Sequence, residues 1–262
     1  MTPTDGEPLL QLRGVSKSFG AVHALQDVSL DIDAGQVTAL AGDNGAGKSV
    51  LIKCIAGIHT PDTGEILWKG GRVHIRTPRD AAALGIETVH QDLALCDNLD
   101  IVQNMFLGRE RLRWGFTLDE EAMEKSAAKT LHSLAVTTVR SVRQPVKSLS
   151  GGQRQSVAIA KAVLWNSELV IMDEPTAALG VAQTAMVLSL VRTLADRGLA
   201  VLLVSHNMND VFQVADRIAV LRLGRLVDVR PTRESDPQIV VDLMTTGTST
   251  RTPQPAAPEA TA

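Results

Sequence analysis

Tyrosine is absent from the sequence and aromatic residues make up only 3% of it, so the stacking platforms that single-stranded nucleic acid uses are poorly supplied. A basic excess is missing too. Lys+Arg 26 against Asp+Glu 29 leaves a formal net charge of -3, and no nucleic-acid partner is expected. Cysteine is limited to Cys54 and Cys96, too few for a disulfide scaffold or a four-ligand zinc site. Both read as reduced thiols in a cytosolic protein. Apolar runs such as Leu199 to Val204 are strand-sized, well below the roughly 20 residues of a membrane-spanning helix. The first residues, Met1 to Pro8, lack the charged and apolar regions of a signal peptide. The expectation is a soluble protein whose membrane work comes through partners.

What is present suffices for a sizeable core: 262 residues, 44% of them hydrophobic, read as one compact domain over 9–244 with disordered tails at 1–8 and 245–262. The organising stretch is Gly42-Asp43-Asn44-Gly45-Ala46-Gly47-Lys48-Ser49. It is entered from the apolar run Val37 to Ala41 and continues into a helix over Val50 to Ala56 that Gly57 stops. In a strand–loop–helix setting, glycines let backbone N–H groups curl around phosphate oxygens, and the helix start adds partial positive charge. Lys48 would lie along the β- and γ-phosphates, and the Ser49 hydroxyl would hold magnesium.

Around this loop, Leu10 to Val15 and Val28 to Ile32 alternate as half-buried strands, with Phe19 between them read as core filling. Glu65 to Trp68 and Arg72 to Ile75 flank Lys69-Gly70-Gly71 as a hairpin. A strand over Ile86 to His90 ends at Gln91, and 92–150 reads as a helical insertion. In it Thr117-Leu118-Asp119-Glu120 matches a capping box ahead of Ala122, Met123, Ala127, Leu131 and Leu134 at helical spacing. Strands return at Leu169 to Asp173 and Ala200 to Val204, separated by a helix from about Val181 to Asp196. Such alternation implies a largely parallel sheet with ligands at the strands' carboxyl ends. Ile218 to Arg222 and Leu226 to Val229 form a hairpin around Gly224, and a short helix runs to Met244.

Two further stretches carry chemistry. Asp173 and Glu174 follow four apolar residues, so a strand delivers both carboxylates to the sheet edge near the phosphates. Asp173 would hold magnesium through water, and Glu174 would orient and deprotonate the attacking water. Leu149-Ser150-Gly151-Gly152-Gln153 is a capping box by spacing, with Ser150 at the N-cap and Gln153 reaching back. Its two glycines at an exposed helix start also make a second anion site.

Together these motifs resemble the ATP-binding subunit of ABC transporters over roughly residues 9–230. The fold implied is that of an α/β P-loop NTPase: a mixed, largely parallel core sheet, an antiparallel β subdomain and an inserted helical subdomain. By that resemblance Gly42 to Ser49 is the Walker A loop, Gln91 the Q-loop glutamine and a magnesium ligand, and Leu149 to Gln153 the signature. Leu169 to Asp173 is then Walker B, Glu174 the catalytic glutamate, His206 the switch histidine, and Phe19 the aromatic that stacks on adenine. ATP and Mg2+ are the implied cofactors. Each ATP would lie between Walker A of one subunit and the signature of another in a homodimer. The neighbourhoods Gly42 to Gly45, His90 to Leu95, Gln103 to Glu110 and Pro175 to Gly180 resemble bacterial monosaccharide importers of the ribose, xylose and fructose kind. That implies an integral membrane permease, an extracytoplasmic sugar-binding protein, and a place on the cytoplasmic face of the cell membrane. The segment 92–99 is expected to help form the groove that receives a permease helix. Three departures stand out: Val50 in place of threonine, which leaves only a backbone N–H for the α-phosphate, Gly180 in place of the D-loop aspartate, and Ser156 in place of an arginine, with Arg154 nearby. A soluble ABC ATPase of translation or DNA repair fits less well, because the insertion is short and the charge slightly acidic.

Overall fold

The structure is a computed structural model that describes residues 7–248. Of the tails expected over 1–8 and 245–262, residues 1–6 and 249–262 lie outside the described residues. In chain order, β1 (Leu10–Phe19) and β2 (Val22–Ile32) pair as an antiparallel hairpin, and β3 (Val37–Ala41) leads into α1 (Lys48–Ile55). β4 (Thr63–Trp68) and β5 (Gly71–Val73) complete a four-stranded antiparallel sheet in the order β2-β1-β4-β5. Lys69 and Gly70, at φ 50° and 74°, supply the turn between the last two, the left-handed pair that matches hairpin twist. α2 (Pro78–Ala83) then leads to β6 (Ile86–Val89), two residues short of Gln91.

The inserted segment holds α3 (Ile101–Phe106), a two-stranded ribbon of β7 (Leu112–Arg113) and β8 (Thr117–Leu118), and α4 (Glu120–Ser133); α5 (Gly151–Val163) follows. The remainder is β9 (Leu169–Asp173), α6 (Val181–Asp196), β10 (Ala200–Val204), α7 (Met208–Val214), β11 (Arg217–Arg222), β12 (Arg225–Pro231) and α8 (Pro237–Thr246). The central six-stranded sheet runs β12-β11-β3-β10-β9-β6, parallel throughout except for the antiparallel β12 edge.

Every residue of β3 and β10 is buried, as a strand covered on both faces requires. One face of the central sheet sends Val170, Met172, Val201 and Leu203 into a core shared with the inserted helices and α6. From the other face Leu169, Ile171, Leu202 and Val204 meet Leu51, Ile52 and Ile55 of α1 and Leu10, Leu12 and Leu30 of the antiparallel sheet. α1 is therefore clamped between two sheets, which fixes the direction of its N-terminus.

Three expectations need correction. Thr117 does not cap α4. It lies in β8, where its hydroxyl donates to the Arg113 carbonyl at 3.0 Å, and Asp119 is the cap, accepting from the Ala122 N–H at 3.1 Å. The ribbon holds Thr117 extended, so the nearer carboxylate takes the helix start; the stripe Met123, Ala127, Leu131 and Leu134 is buried as core. The last helix continues past Met244 to Thr246 and ends at Gly247 with φ 83°, a left-handed C-cap. Phe19 is not core filling: it is 45% exposed at the end of β1, edge-on to His59 with ring centroids 5.1 Å apart.

Candidate active site

β3 ends at Ala41, and the chain wraps through Gly42 to Gly47 into α1. No side chain caps this helix: Gly47 stands at the N-cap with φ 106°, so the first-turn N–H groups are left for an anion. A Cβ on Gly47 would lie 2.7 Å from the Ala24 carbonyl oxygen, and one on Gly42 would collide with the Leu221 carbonyl. Only glycine lets the loop pass between β2 and the end of β11. Lys48 is 8% exposed, and its Nζ donates to the carbonyls of Gly42 at 2.6 Å and Asp43 at 3.0 Å. The ammonium is thereby folded over the loop, on partners that a phosphate oxygen can replace.

A cavity of about 600 Å³ covers this loop, a size that suits a cofactor-sized ligand. Its lining includes Asp43, Asn44, Gly45, Ala46, Gly47, Lys48, Ser49 and Val50. The opposite walls come from Val22, His23, Ala24 and Gln26 of β2 and from the Leu223-Gly224 turn. Sequence reasoning missed these walls. Gly224 was legible as a turn residue, but nothing local shows that its N–H reaches the Ala46 carbonyl at 2.9 Å while its carbonyl accepts from Gln26 at 2.7 Å. Phe19 does not line the cavity, although its strand partner Val22 does.

β9 delivers Asp173 to the end of the central sheet. Burial pushes its carboxyl up and the adjacent Glu174 adds to that, while His90, Lys48 and Lys53 oppose it. Glu174 follows at φ 50° with its N–H on the Val204 carbonyl at 2.9 Å, a strained conformation of the kind found where a side chain must be aimed. Its Oε1 lies 2.8 Å from His206 Nδ1, with the carboxylate only 15% exposed and the imidazole 68%. His206 is set at that distance by the turn after β10, where the buried Ser205 hydroxyl accepts from the Asn207 N–H at 3.0 Å. A strap missed at sequence level holds this corner: the Thr176 hydroxyl donates to Asp210 of α7 at 2.6 Å, and Asp210 is 5% exposed. Gln91 is exposed in the loop after β6, and among the described residues its side chain makes no hydrogen bond.

Ser150 is the N-cap of α5, and both capping-box bonds are present: Gln153 N–H to Ser150 Oγ at 3.3 Å, and Ser150 N–H to Gln153 Oε1 at 2.9 Å. Gln153 also donates to the Thr138 carbonyl at 2.6 Å. Of the two glycines expected at an exposed helix start only Gly151 is exposed. Gly152 is buried, and a Cβ on it would stand 3.0–3.1 Å from Met186 and Gln183 of α6, so close helix packing already requires glycine there. None of Ser150 to Gln153 lines the cavity over the phosphate loop. Arg154 reaches back to the helix start, donating to the carbonyls of Leu149 at 3.4 Å and Lys147 at 3.3 Å while pairing with Asp97 at 3.0 Å, and Ser156 spends its hydroxyl on the Gly152 carbonyl at 2.9 Å. Val50 is half-buried in the cavity wall, and Gly180 is the N-cap of α6.

The chain after Gln91 is pinned from below. Asn104 of α3 is 0% exposed; its Oδ1 accepts from the Cys96 N–H at 2.7 Å, and its Nδ2 faces the carbonyls of Asp100, Cys96 and Leu99 at 2.9, 3.0 and 3.3 Å. Asp92 is exposed and, among the described residues, makes no ion pair.

With this geometry in hand, similarity to known proteins becomes specific. The family profile described as ABC transporter matches residues 25–177. The fructose import ATP-binding protein FrcA of Rhizobium meliloti is 50% identical over 225 residues, covering 84% of this chain and 86% of that protein. The xylose/arabinose import ATP-binding protein XylG of Sulfolobus acidocaldarius is 46% identical over 237 residues, covering 90% and 94%. Among solved structures, a dimeric post-hydrolysis state of an ATP-binding cassette bound to ADP and Pi aligns with a TM-score of 0.71 and 26% identity, over 86% of this chain and 99% of that one. A profile match over more than half the chain, together with half-identity to FrcA along most of both sequences, means that this chain belongs to the ABC transporter family, as one of its ATP-hydrolysing cassettes.

Proposed function

We propose that this chain powers the import of a monosaccharide by binding and hydrolysing ATP beside a separate permease. The observation that carries the reading is the Glu174–His206 contact of 2.8 Å at the end of β9, where a carboxylate is held in one orientation next to an exposed imidazole. The names of FrcA and XylG point to sugar as the cargo.

In this reading the loop N–H groups of Gly42 to Val50 and the Lys48 ammonium cradle the phosphates. Phe19, which stands outside the cavity lining beside its strand partner Val22, stacks on the adenine. Glu174 takes the proton of the attacking water, and His206 keeps that carboxylate aimed. Ser49 offers a hydroxyl and Asp173 a carboxylate, an oxygen pair of the kind magnesium takes when phosphate, water and a side chain such as Gln91 complete its shell. The upward push that burial gives Asp173 is the bias that a neighbouring dication reverses. Magnesium bound there would neutralise charge on the phosphate oxygens. Ser150, Gly151, Gly152 and Gln153 contact the nucleotide held by a second copy, which is why they stand outside their own subunit's cavity. The assembly therefore is a homodimer when ATP is bound, seated under the permease on the cytoplasmic face of the membrane and supplied by an extracytoplasmic sugar-binding protein.

The test has two arms. The purified chain with Mg2+ and ATP should turn over, and Glu174→Gln should keep ATP binding while lowering turnover by about 10² to 10⁴. Cells lacking the protein should lose uptake of one monosaccharide, restored by wild type and not by Glu174→Gln. Normal turnover in that variant would remove Glu174 as the base, and unchanged uptake of fructose, ribose, xylose and arabinose would refute the cargo.

A further inference from the structure

Large apolar side chains that cover nothing are concentrated at one place. In the β7–β8 ribbon Leu112 is 54% exposed, Trp114 80%, Phe116 77% and Leu118 53%. Of four phenylalanines and three tryptophans in the chain, two stand at this tip, so the scarcity of aromatics makes their display there costly. The ribbon is ordered. Leu112 pairs with Leu118 and Arg113 with Thr117, which puts the two leucines on one face and the polar pair on the other. Trp114 and Gly115, at φ 54° and 83°, make the reversal. The Asp119 N–H to Arg111 carbonyl bond of 2.8 Å closes its base.

The carboxylates beside the ridge keep their charge but are held by other groups, which leaves the two guanidinium groups of the ribbon without an ion-pair partner among the described residues. Glu110 accepts from the Gly108 N–H, Asp119 caps α4, Glu120 pairs with Arg143 at 3.2 Å, and Glu121, which feels Arg113, pairs with Lys125 at 2.7 Å. Arg111 and Arg113 make no ion pair among the described residues; they lie over the rings of Phe106 and Trp114 at 5.5 Å. An apolar ridge edged by guanidinium groups is complementary to a surface that is anionic outside and apolar beneath. Its shape favours such a surface over a protein segment, since a ribbon of two-residue strands offers no groove to hold a helix or peptide.

We propose that the ribbon inserts Trp114 and Phe116 into the headgroup–acyl boundary of the lipid bilayer, with Arg111 and Arg113 on anionic headgroups. The cassette then touches the membrane directly, as well as through a permease. No described helix is long and apolar enough to cross a membrane, so this contact is peripheral and reversible. Only the presence of a bilayer is taken over from the importer reading. The test uses the chain without permease or sugar, so either can fail alone.

The experiment is co-sedimentation of the full chain with vesicles of phosphatidylglycerol and phosphatidylcholine or of phosphatidylcholine alone, read together with tryptophan emission. Trp68 is 8% exposed and Trp165 packs edge-on against Phe106 at 5.4 Å, so a blue shift on binding reports Trp114. The expected result is pelleting with a blue shift on the anionic vesicles. Trp114→Ser with Phe116→Ser should lower partitioning by at least about tenfold while leaving ATPase turnover unchanged. Arg111→Gln with Arg113→Gln should erase the preference for the anionic lipid. Failure of wild type to pellet, or equal pelleting by the Trp114→Ser, Phe116→Ser variant, overturns the proposal. So does a ridge-dependent dimer in vesicle-free solution, which would assign the ridge to a second copy, or pelleting only with vesicles that contain a permease.

Discussion

Asn104 allows a stability effect to be worked out bond by bond. It is wholly buried, its Oδ1 accepts from the Cys96 N–H, and the two N–H groups of its Nδ2 are shared among the carbonyls of Cys96, Leu99 and Asp100. In Asn104→Ala these losses are unequal. The Leu99 carbonyl still accepts from Val146, the Cys96 carbonyl from Leu99, and the Asp100 carbonyl from the Asn104 N–H. Only the Cys96 N–H loses its sole partner. One orphaned buried donor costs about 1–3 kcal/mol, and two second bonds, the most that the two N–H groups of the amide make at once, cost about 0.5–1 kcal/mol each. The sum centres at about 3.5 kcal/mol, and relaxation of the half-buried segment toward water brings it to about 3 kcal/mol. For a chain of this size that lowers Tm by roughly 6–12 °C. The assay is thermal or denaturant unfolding of the nucleotide-free chain, with nucleotide affinity measured alongside and expected to hold because the phosphate loop belongs to another subdomain. Asn104→Asp sharpens the case. It keeps shape and the acceptor for Cys96 but sets a carboxylate against three carbonyl oxygens, so the folded pKa of the new carboxyl lies above the unfolded one. The deficit should therefore be largest at neutral pH and shrink as pH falls through the raised pKa. A loss below about 1 kcal/mol for Asn104→Ala, or a deficit in Asn104→Asp that does not change with pH, would refute the assignment of this side chain as the strap of the segment.

Asp210→Asn should lower kcat with little change in the KM for ATP, because it weakens the Thr176 bond of 2.6 Å that holds the corner after Glu174, whereas Thr176→Ser should retain activity. Asp97→Arg and Arg154→Asp should each lower basal ATPase, and the double exchange should recover it. The pair is partly exposed, so a coupling of about 0.5–1 kcal/mol is expected from a double-mutant cycle; no recovery would mean that the pair does not position the start of α5. Asp92→Lys, lacking any such partner, is the cleaner probe of a permease-facing surface and should impair uptake while sparing basal ATPase. Burial pushes the Cys54 thiol up to about 11, and since thiolate is the reactive form, a maleimide at about pH 7.5 should modify the half-buried Cys96 alone in the native chain and both cysteines in denaturant, as read by mass spectrometry.

What could be read without coordinates was local. The phosphate loop declares itself because strand, loop and helix are consecutive, and the Ser150–Gln153 capping box because its partners are three residues apart. Strands β3 and β10 are legible as unbroken apolar runs because both their faces are covered. Thr117 shows the limit even of local reading: two residues in one stretch could cap α4, and the ribbon's hydrogen bonding decided for Asp119. Phe19 shows another, since hydrophobicity argued for burial and only the hairpin's reach past the core leaves the ring at the surface beside His59.

The interactions that escaped reading have one physical character. Thr176–Asp210, Asp97–Arg154, Gly224–Ala46 and the bonds of Asn104 are single polar contacts, most of them between segments remote in sequence, and they leave no periodicity. They also sit where elements bearing different candidate site residues meet: the corner of Glu174 against the helix after His206, the segment after Gln91 against the start of α5, the phosphate loop against the turn between β11 and β12. A packed apolar face resists small displacements through many weak contacts at once. A single hydrogen bond or ion pair, by contrast, can open or re-form within the roughly 1–3 kcal/mol over which sites are commonly coupled. Motion driven by ATP should therefore run along these straps. The Asp97–Arg154 exchange and the Asp210 substitution test that directly, because each changes a strap while leaving every residue proposed to contact nucleotide in place.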